Sequence, residues 1–465
     1  MLPALDHALS IESRPVADTP FTLTGARCTI RGLEAHGVGD VLVDDSVVLR
    51  ACRLADVRCT AFQITPLGVT RELRAGLVTI TEKIVVAPHA GAFAVEWTAD
   101  AAIDLPLTAE LIGTAPQFTF SNNSDSAHVT LTALQPVQLV VSFASPTHVD
   151  PAAWIQQHRA AAERRSQAWL TAELPHADLT HALAWSQFRL ANRAAAPTDV
   201  LALIACGDFK LSRAALASMT SGNAFPSLLS SYFAASGDDA FARAHWPSVS
   251  ESATLSHQNA SALRGLAHMA EAMGEQHAAA DMLSRARTAS QAPPLWPEFE
   301  AGSTRAALSR WCDLARECYR GEKGAWPQQN GVSAGDVVVG FVNGMFGFAP
   351  DAARNRLRLR PQIPEEWSRV VIRNLRIGEA TVDLSYQRNE TGCQFDASQS
   401  SGAYPVRLIF EPALVVPVLS VTVDLRSAAL DMRPFGERIV APVQIVLDDR
   451  RSLRFELQAT KNPHP

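Results

Sequence analysis

At 465 residues the chain is longer than one hydrophobic core usually organises, so two or three domains are expected. Its 47% apolar and 19% charged residues are ordinary for a soluble globular protein, and a formal charge of −6 argues against a nucleic-acid backbone as partner. Seven cysteines without a CxxC pair match neither a zinc knuckle nor a redox motif, and they suit buried thiols in a reducing compartment.

The opening MLPALDHALSIESRP carries Asp6 and Glu12 and lacks a basic-then-apolar leader pattern. The longest apolar candidate, VVVGFVNGMFGFA (337–349), is too short to span a bilayer and is broken by glycines. A cytoplasmic protein without a membrane partner is expected. Residues 1–150 then read as β: 38–64, 77–88, 91–100 and 135–146 are β-branched runs with period-two alternation, divided by Gly, Pro, Asn and Asp. Within 77–88, Val78, Ile80, Ile84 and Val86 share a face with Glu82, which predicts a sheet-rim position or an arginine partner for that carboxylate. An antiparallel β-sandwich follows from the lack of helical period.

At Asp150-Pro151 the period changes, with a capping residue before a first-turn proline. Helical stretches follow: PAAWIQQHRAAAERRSQAWL, DLTHALAWSQFRLANRAAA, KLSRAALASM, FPSLLSSYFAASG, DDAFARAHW, QNASALRGLAHMAEAMG, EQHAAADMLSRARTAS and STRAALSRWCDLARECYRG. In SGDDAF (236–241), Gly237 suits a left-handed C-cap, Asp238 the next N-cap, and Phe241 the core. Paired helices with tight turns imply antiparallel hairpins. From about 346 the period returns to two, in RLRLRP, VVIRNLRIG, ATVDLSYQR, YPVRLIFEP, VVPVLSVTVDL and PVQIVLDD. Three segments are therefore expected: 1–150 β, 151–345 helical and 346–465 β.

The junction VVVGFVNGMFGFAPDAARNRLRLRPQIPEEWSRVVIRNLRIGEATVDLSYQR (337–388) resembles that of six-hairpin glycosidases, especially bacterial glycogen-debranching, amylo-α-1,6-glucosidase-like proteins. GDFKLSRAAL (207–216) and FPSLLSSYFAASGDDAFARAHWPSV (225–249) are similar to parts of the same family. The resemblance implies an N-terminal sandwich, a central α/α toroid and a C-terminal sandwich, acting on α-linked glucan without cofactor or metal. A complete toroid has six helical hairpins; only about eight helical segments are legible between Pro151 and Phe346, so the ring is expected to be incomplete. The family's acid-bearing loop after its HWP motif has no counterpart here, because His245-Trp246-Pro247 runs straight into another helix.

Glycoside cleavage needs two carboxyl groups across one bond, roughly 6.5–9.5 Å apart when the reaction inverts. In LWPEFEAG (295–302) Glu298 and Glu300 sit two apart, so on an extended loop they point opposite ways. The resemblance places the base late in the toroid beside a tryptophan, which makes Glu298 the leading candidate, stiffened by Pro297 and shielded by Trp296. A solvated acidic turn before a helix starting near Ser303 explains the same residues. Asp208 in GDF and Glu322 in RGEKGAWPQQNG (320–331) are reserve carboxylates, and a helix cap accounts for Asp208 equally well. Trp246, Trp296 and Trp326 each precede a proline at a helix or loop end and are the expected sugar-facing indoles, with Glu300 beside them. Trp154, Trp169 and Trp185 are expected in the core.

His268, Glu271 and Glu275 have a spacing that could chelate a metal, but with no second cluster a solvated face is the expectation. The glycines of GFVNGMFG (340–347) lack Walker context and suit close helix packing and a turn. No GxSxG elbow is present. Two readings stay open: a glycosidase with Glu298 as base, and an inactive descendant that binds carbohydrate or protein. A lyase reading would need a Tyr/His pair, for which Tyr232 and Tyr319 are available without supporting context. An incomplete ring would also leave apolar helix faces that a second copy could cover, so a homo-oligomer stays open.

Overall fold

The computed structural model describes residues 9–112, 116–121, 128–143, 151–192, 196–219, 224–255, 260–289, 296–316 and 333–458. Its strands and helices fall in the order β, α, β along the chain. Two compact units divide it: one is Met1–Gln167 with two short later pieces, and the other is Ala168–Leu190, Ala194–Ala315 and Ser333–Pro465.

The first unit holds two antiparallel sheets. Seven strands pair in the order Ile11–Ser13, Arg58–Thr65, Gly68–Ala75, Val78–Val86, Ala92–Ala99, Val137–Ser142, Gln117–Phe120, and six more form the second sheet. Alternation dictates the inward faces: Val69, Arg71, Leu73 and Ala75 are buried in turn along one strand. The register sets Arg71 opposite Glu82 and Glu82 opposite Trp97, so three polar groups form a row inside the unit. Arg71 pairs with Glu82 and donates to the carbonyls of Glu34 and Ala35 at 3.0 and 2.7 Å, while Trp97 Nε1 donates to Glu82 Oε1 at 2.9 Å. The arginine partner expected for Glu82 is thus present, and these bonds explain how a charge is tolerated at 2% exposure. Helix Pro151–Ala168 packs Trp154 against Val85, Ala87, Ala92 and Ala94, and His158 places a ring nitrogen 3.1 Å from the Val86 carbonyl.

In the second unit the described α-helices are Ala177–Asn192, Pro197–Ala205, Phe209–Ser218, Phe225–Ser236, Asp239–Leu255, Ala260–Ala272, Gln276–Thr288, Pro297–Glu300, Thr304–Arg316 and Ala334–Val339. The helices from Pro197–Ala205 to Gln276–Thr288 bring their apolar stripes together in one cluster that includes Leu229, Phe233, Phe241, Leu266 and Met269. Gly237 takes φ +70°, and the Asp238 carboxylate receives the Phe241 N–H at 3.0 Å, as the SGDDAF pattern predicts. Pro197–Ala205 is a helix that apolar periodicity over so short a run did not reveal. Pro247, expected near a helix end, lies inside Asp239–Leu255.

The terminal strands form a seven-stranded sheet in the order Thr171–Glu173, Arg369–Ile377, Ala380–Asn389, Gly392–Ser401, Arg450–Leu457, Val418–Val423, Arg426–Ser427, with four- and three-stranded companions. Thr171–Glu173 reaches this sheet from a position between helices, some 200 residues before its partner. Arg356–Leu359 buries Leu357 and Leu359 and exposes its arginines, the amphipathic strand expected from RLRLR. Phe395, Phe410 and Phe455 make the aromatic centre between sheets.

Burial pushes the Cys28, Cys52, Cys206 and Cys393 thiols up to about 12. Among the described residues no helix is long and apolar enough to cross a membrane.

Candidate functional site

The segment WPEFEAG is a helical turn rather than an extended loop, and its position follows from glycines. Residues Gly340–Met345 form a π-helical turn, and a Cβ at Gly340 would lie 2.6 Å from the Trp296 ring and 2.7 Å from Trp311. A Cβ at Gly344 would lie 2.6 Å from Phe299. Only glycine lets the two aromatics seat there, which bears out the close-packing reading of GFVNGMFG. Gln362 completes the anchor by donating to the Phe299 carbonyl at 2.8 Å and accepting the Thr304 hydroxyl at 2.8 Å.

This seating decides where the acidic pair points. Trp296 is 5% exposed, and Arg310 stands over its ring with Cζ 4.8 Å from the centroid. The open stacking face expected of Trp296 is therefore covered, because Gly340 admits the indole and Arg310 caps it. Arg310 Nη1 donates to both Glu298 oxygens, at 3.0 and 3.3 Å, and Glu298 is 29% exposed. Glu300 ends the turn, exposed to solvent.

Behind this corner two helix starts interlock. Asp199 is buried and accepts from Ala196 N at 2.9 Å and from Gly335 N at 3.0 Å, on the partner helix. Asp336 accepts from Ser333 N at 2.6 Å, and the Thr198 and Ser333 hydroxyls lie 2.8 Å apart. Burial raises the Asp336 carboxyl above its ordinary range and the charge of Asp199 adds to this, while the Ser333 hydrogen bonds and the field of Arg310 oppose it. Asp336 thus has a raised carboxyl in the electrostatic reach of the guanidinium that binds Glu298. Sequence reasoning did not mark Asp199; its bond to Gly335 N, 136 residues on in the chain, is a product of folding.

The other expected residues lie elsewhere. Asp208 caps Phe209–Ser218 by accepting from Leu211 N at 2.9 Å and accepts a hydrogen bond from Trp169 Nε1 at 2.8 Å. Trp246 packs half-buried on the helical core. Glu322 and Trp326 lie outside the described residues. Trp154, Trp169 and Trp185 are buried as expected. Tyr232 donates to Asp238 at 2.9 Å, and its burial together with that carboxylate pushes the phenol up to about 12; Tyr319 lies outside the described residues. Glu271 and Glu275 are exposed, as a solvated face implies; Arg354 Nη2 reaches Glu271 at 2.9 Å, and the half-buried His268 places Nε2 3.1 Å from Asp351 Oδ1. No metal-type cluster occurs among the described residues.

No protein-family model matches the sequence, and no curated protein matches it. Its fold does have relatives among solved structures, in proteins that act on glycosides. A human-microbiome protein provisionally assigned as a kojibiose phosphorylase superposes with a TM-score of 0.50, covering 96% of this chain and 91% of that one at 7% identity. An α-L-rhamnosidase from Dictyoglumus thermophilum gives 0.40 at 8% identity, over 80% of this chain and 62% of that one. A family-127 β-L-arabinofuranosidase from Geobacillus stearothermophilus T6 gives 0.26 at 9% identity, over 60% and 62%. The first of these likenesses is one of fold, and at such identity it transfers no chemistry.

Proposed function

We propose that the chain is a glycoside hydrolase-like protein of carbohydrate metabolism that engages α-linked glucan or related oligosaccharides at the Glu298 corner. In this reading its segments 1–150, 151–345 and 346–465 are a β-sandwich, an incomplete α/α toroid and a second β-sandwich. The observation that carries it is the joint placement of Glu298, Arg310 and Trp296 on a glycine-notched turn, in a chain whose fold follows a glycoside-active protein over nearly its whole length. In hydrolysis one carboxyl stays protonated and gives its proton to the leaving oxygen, while a second, ionised, takes a proton from water. Glu298 is the base, and Asp336, raised by burial, is the described carboxyl whose surroundings suit the acid.

A second reading is an inactive descendant that binds carbohydrate or protein. One observation favours it: Arg310 occupies both oxygens of Glu298, and Asp208 spends both of its own on a cap and an indole. Incubation with maltooligosaccharides, branched glucans, and kojibiose with and without inorganic phosphate separates the two. Release of reducing ends or of sugar phosphate by wild type, lost in Glu298→Gln and Asp336→Asn, supports catalysis. Equal release from wild type and Glu298→Gln removes Glu298 from the mechanism, and no release from wild type leaves the binding reading.

A further inference from the structure

The seven-stranded terminal sheet buries Leu384, Phe395 and Ala397 on one face. On its other side is a cavity of about 280 Å³ whose polar lining is Arg373, Asp383, Ser385, Asp396, Ser398 and Arg450, with Val371 and Leu384 also touching it. Period two and strand register bring these together: Ser385 pairs with Asp396, Asp383 with Ser398, and Ser398 with Arg450. The charges are already balanced within the wall. Arg450 Nη2 lies 3.1 Å from Asp396, Arg373 Nη1 lies 2.6 Å from Glu173, and Asp383 Oδ1 accepts the Asn374 N–H at 2.8 Å. Gln394 Nε2 also donates to Asp396, at 3.1 and 3.3 Å. The Ser385 and Ser398 hydroxyls make no hydrogen bond among the described residues.

We propose that this cavity is a binding site for a neutral sugar unit, one or two rings of an oligosaccharide. A wall with balanced charge offers no net attraction to an anion or a cation. It does set carboxylate acceptors beside guanidinium donors and two unengaged hydroxyls. A sugar hydroxyl donates and accepts at once, so vicinal hydroxyls match that alternation, whereas an apolar ligand would strand every one of these groups. The volume lies just below the roughly 300–1,000 Å³ usual for ligand pockets, which suits a terminal unit rather than a threaded chain. Without an aromatic in the wall, recognition runs through hydroxyl edges and not through ring stacking. The choice of sugar as ligand class rests on the carbohydrate reading above, but the site is separate from Glu298.

Calorimetric titration of the full chain with glucose and maltotriose tests it, using wild type, Ser398→Phe to fill the cavity, Asp396→Asn to keep its shape, and Glu298→Gln. Binding at least tenfold weaker in both cavity variants is expected, with melting temperatures showing that each variant folds, and the binding that Ser398→Phe removes should persist in Glu298→Gln. Unchanged binding in Ser398→Phe, no binding of either sugar by wild type, or binding of inorganic phosphate that Ser398→Phe abolishes would each overturn the proposal. Reducing-end release lost in Glu298→Gln alone marks the two sites as independent. Absence of release from any form, with cavity binding intact, counts against hydrolysis and leaves this inference standing.

Discussion

Arg310 stands over the indole of Trp296, Cζ 4.8 Å from the ring centroid, and from that perch donates to Glu298. The guanidinium therefore performs two tasks. It closes the ring face against water, and it sets the direction of the carboxylate. A cation–π contact at an exposed site contributes about 0.5–1 kcal/mol, and a half-exposed ion pair adds about 0–1 kcal/mol after screening. Arg310→Met is expected to lower stability by roughly 1 kcal/mol and to shift tryptophan emission to the red as Trp296 gains water. In roughly 1 M salt, where the Debye length is about 3 Å, the ionic part should fade while the emission shift persists. An unchanged emission spectrum would mean that the indole is covered by something other than Arg310.

Gly340 is where the turn depends on a missing side chain. An alanine there would place its Cβ 2.6–2.7 Å from Trp296 and Trp311, two rings that are themselves buried and cannot step aside. Overpacking of this kind typically costs about 1–3 kcal/mol. Gly340→Ala should melt earlier and, because the displaced ring carries the following turn, move Glu298 away from Arg310. Gly76→Ala is the control for a glycine whose Cβ meets open space, although its φ of +60° adds backbone strain of its own. Equal melting of Gly340→Ala and wild type would show that the turn tolerates a repacked floor.

How much of this was readable beforehand follows from the range of each interaction. Local rules held where they applied: period two marked strands such as Val78–Val86 and Ala380–Asn389, Gly237 and Asp238 punctuated two helices, and the glycines of GFVNGMFG packed aromatics as their spacing implied. The strands Gly392–Ser401 and Arg450–Leu457 escaped because polar residues fill one face and a charge run opens the other. The Glu298 partner was missed since Arg310 sits twelve residues on, in a helix whose pattern fixes its buried face but not which basic residue folds back. The sugar cavity was invisible for a related reason: Asp383, Ser385, Asp396 and Ser398 alternate as any solvated strand face does, and only strand register makes them a wall.

Asp351 is 8% exposed and gathers Arg354, Arg356 and His268, with Arg356 Nη2 at 2.8 Å. Burial opposes its charge, yet the bonds from His268 and Arg354 and the field of Arg356 outweigh burial and hold the carboxyl at about 2 instead of 3.8. A carboxyl depressed in the folded state adds stability that is complete above 3.8 and is lost as pH falls through about 2. Because the arginines are partly exposed, the contribution is discounted to roughly 1–2 kcal/mol. Asp351→Asn should lose that amount at neutral pH and show a flatter stability curve between pH 4 and 2. Parallel curves for the two proteins would place the acid sensitivity elsewhere.

Inside the first unit, Arg71 and Glu82 are each 2% exposed. Removing one partner of a buried pair leaves the other charge uncompensated, at a cost of about 3–5 kcal/mol. Arg71→Met would also strip the Glu34 and Ala35 carbonyls of their donor. The double change Arg71→Met with Glu82→Gln keeps an acceptor for Trp97 Nε1 and removes the stranded charge, so it should recover at least 1 kcal/mol relative to Arg71→Met alone. Denaturant titration of both variants reads the difference directly; additive losses would mean that the pair is not energetically coupled.

Asp208 offers the sharpest contrast between a structural and a chemical carboxylate. One oxygen receives Leu211 N at 2.9 Å and the other receives Trp169 Nε1 at 2.8 Å, so Asp208→Ala removes a helix cap and strands a buried indole donor. The two losses together cost roughly 1–3 kcal/mol. Asp208→Asn retains one carbonyl oxygen for the cap but turns an amide toward the indole N–H, which should give a smaller loss. Sugar binding and any hydrolysis, measured per folded molecule well below the melting temperature, should be unchanged in both variants, because each oxygen already serves a structural donor. A hundredfold fall in rate for Asp208→Asn with an unaltered melting temperature would reverse that assignment and return Asp208 to the list of reacting groups.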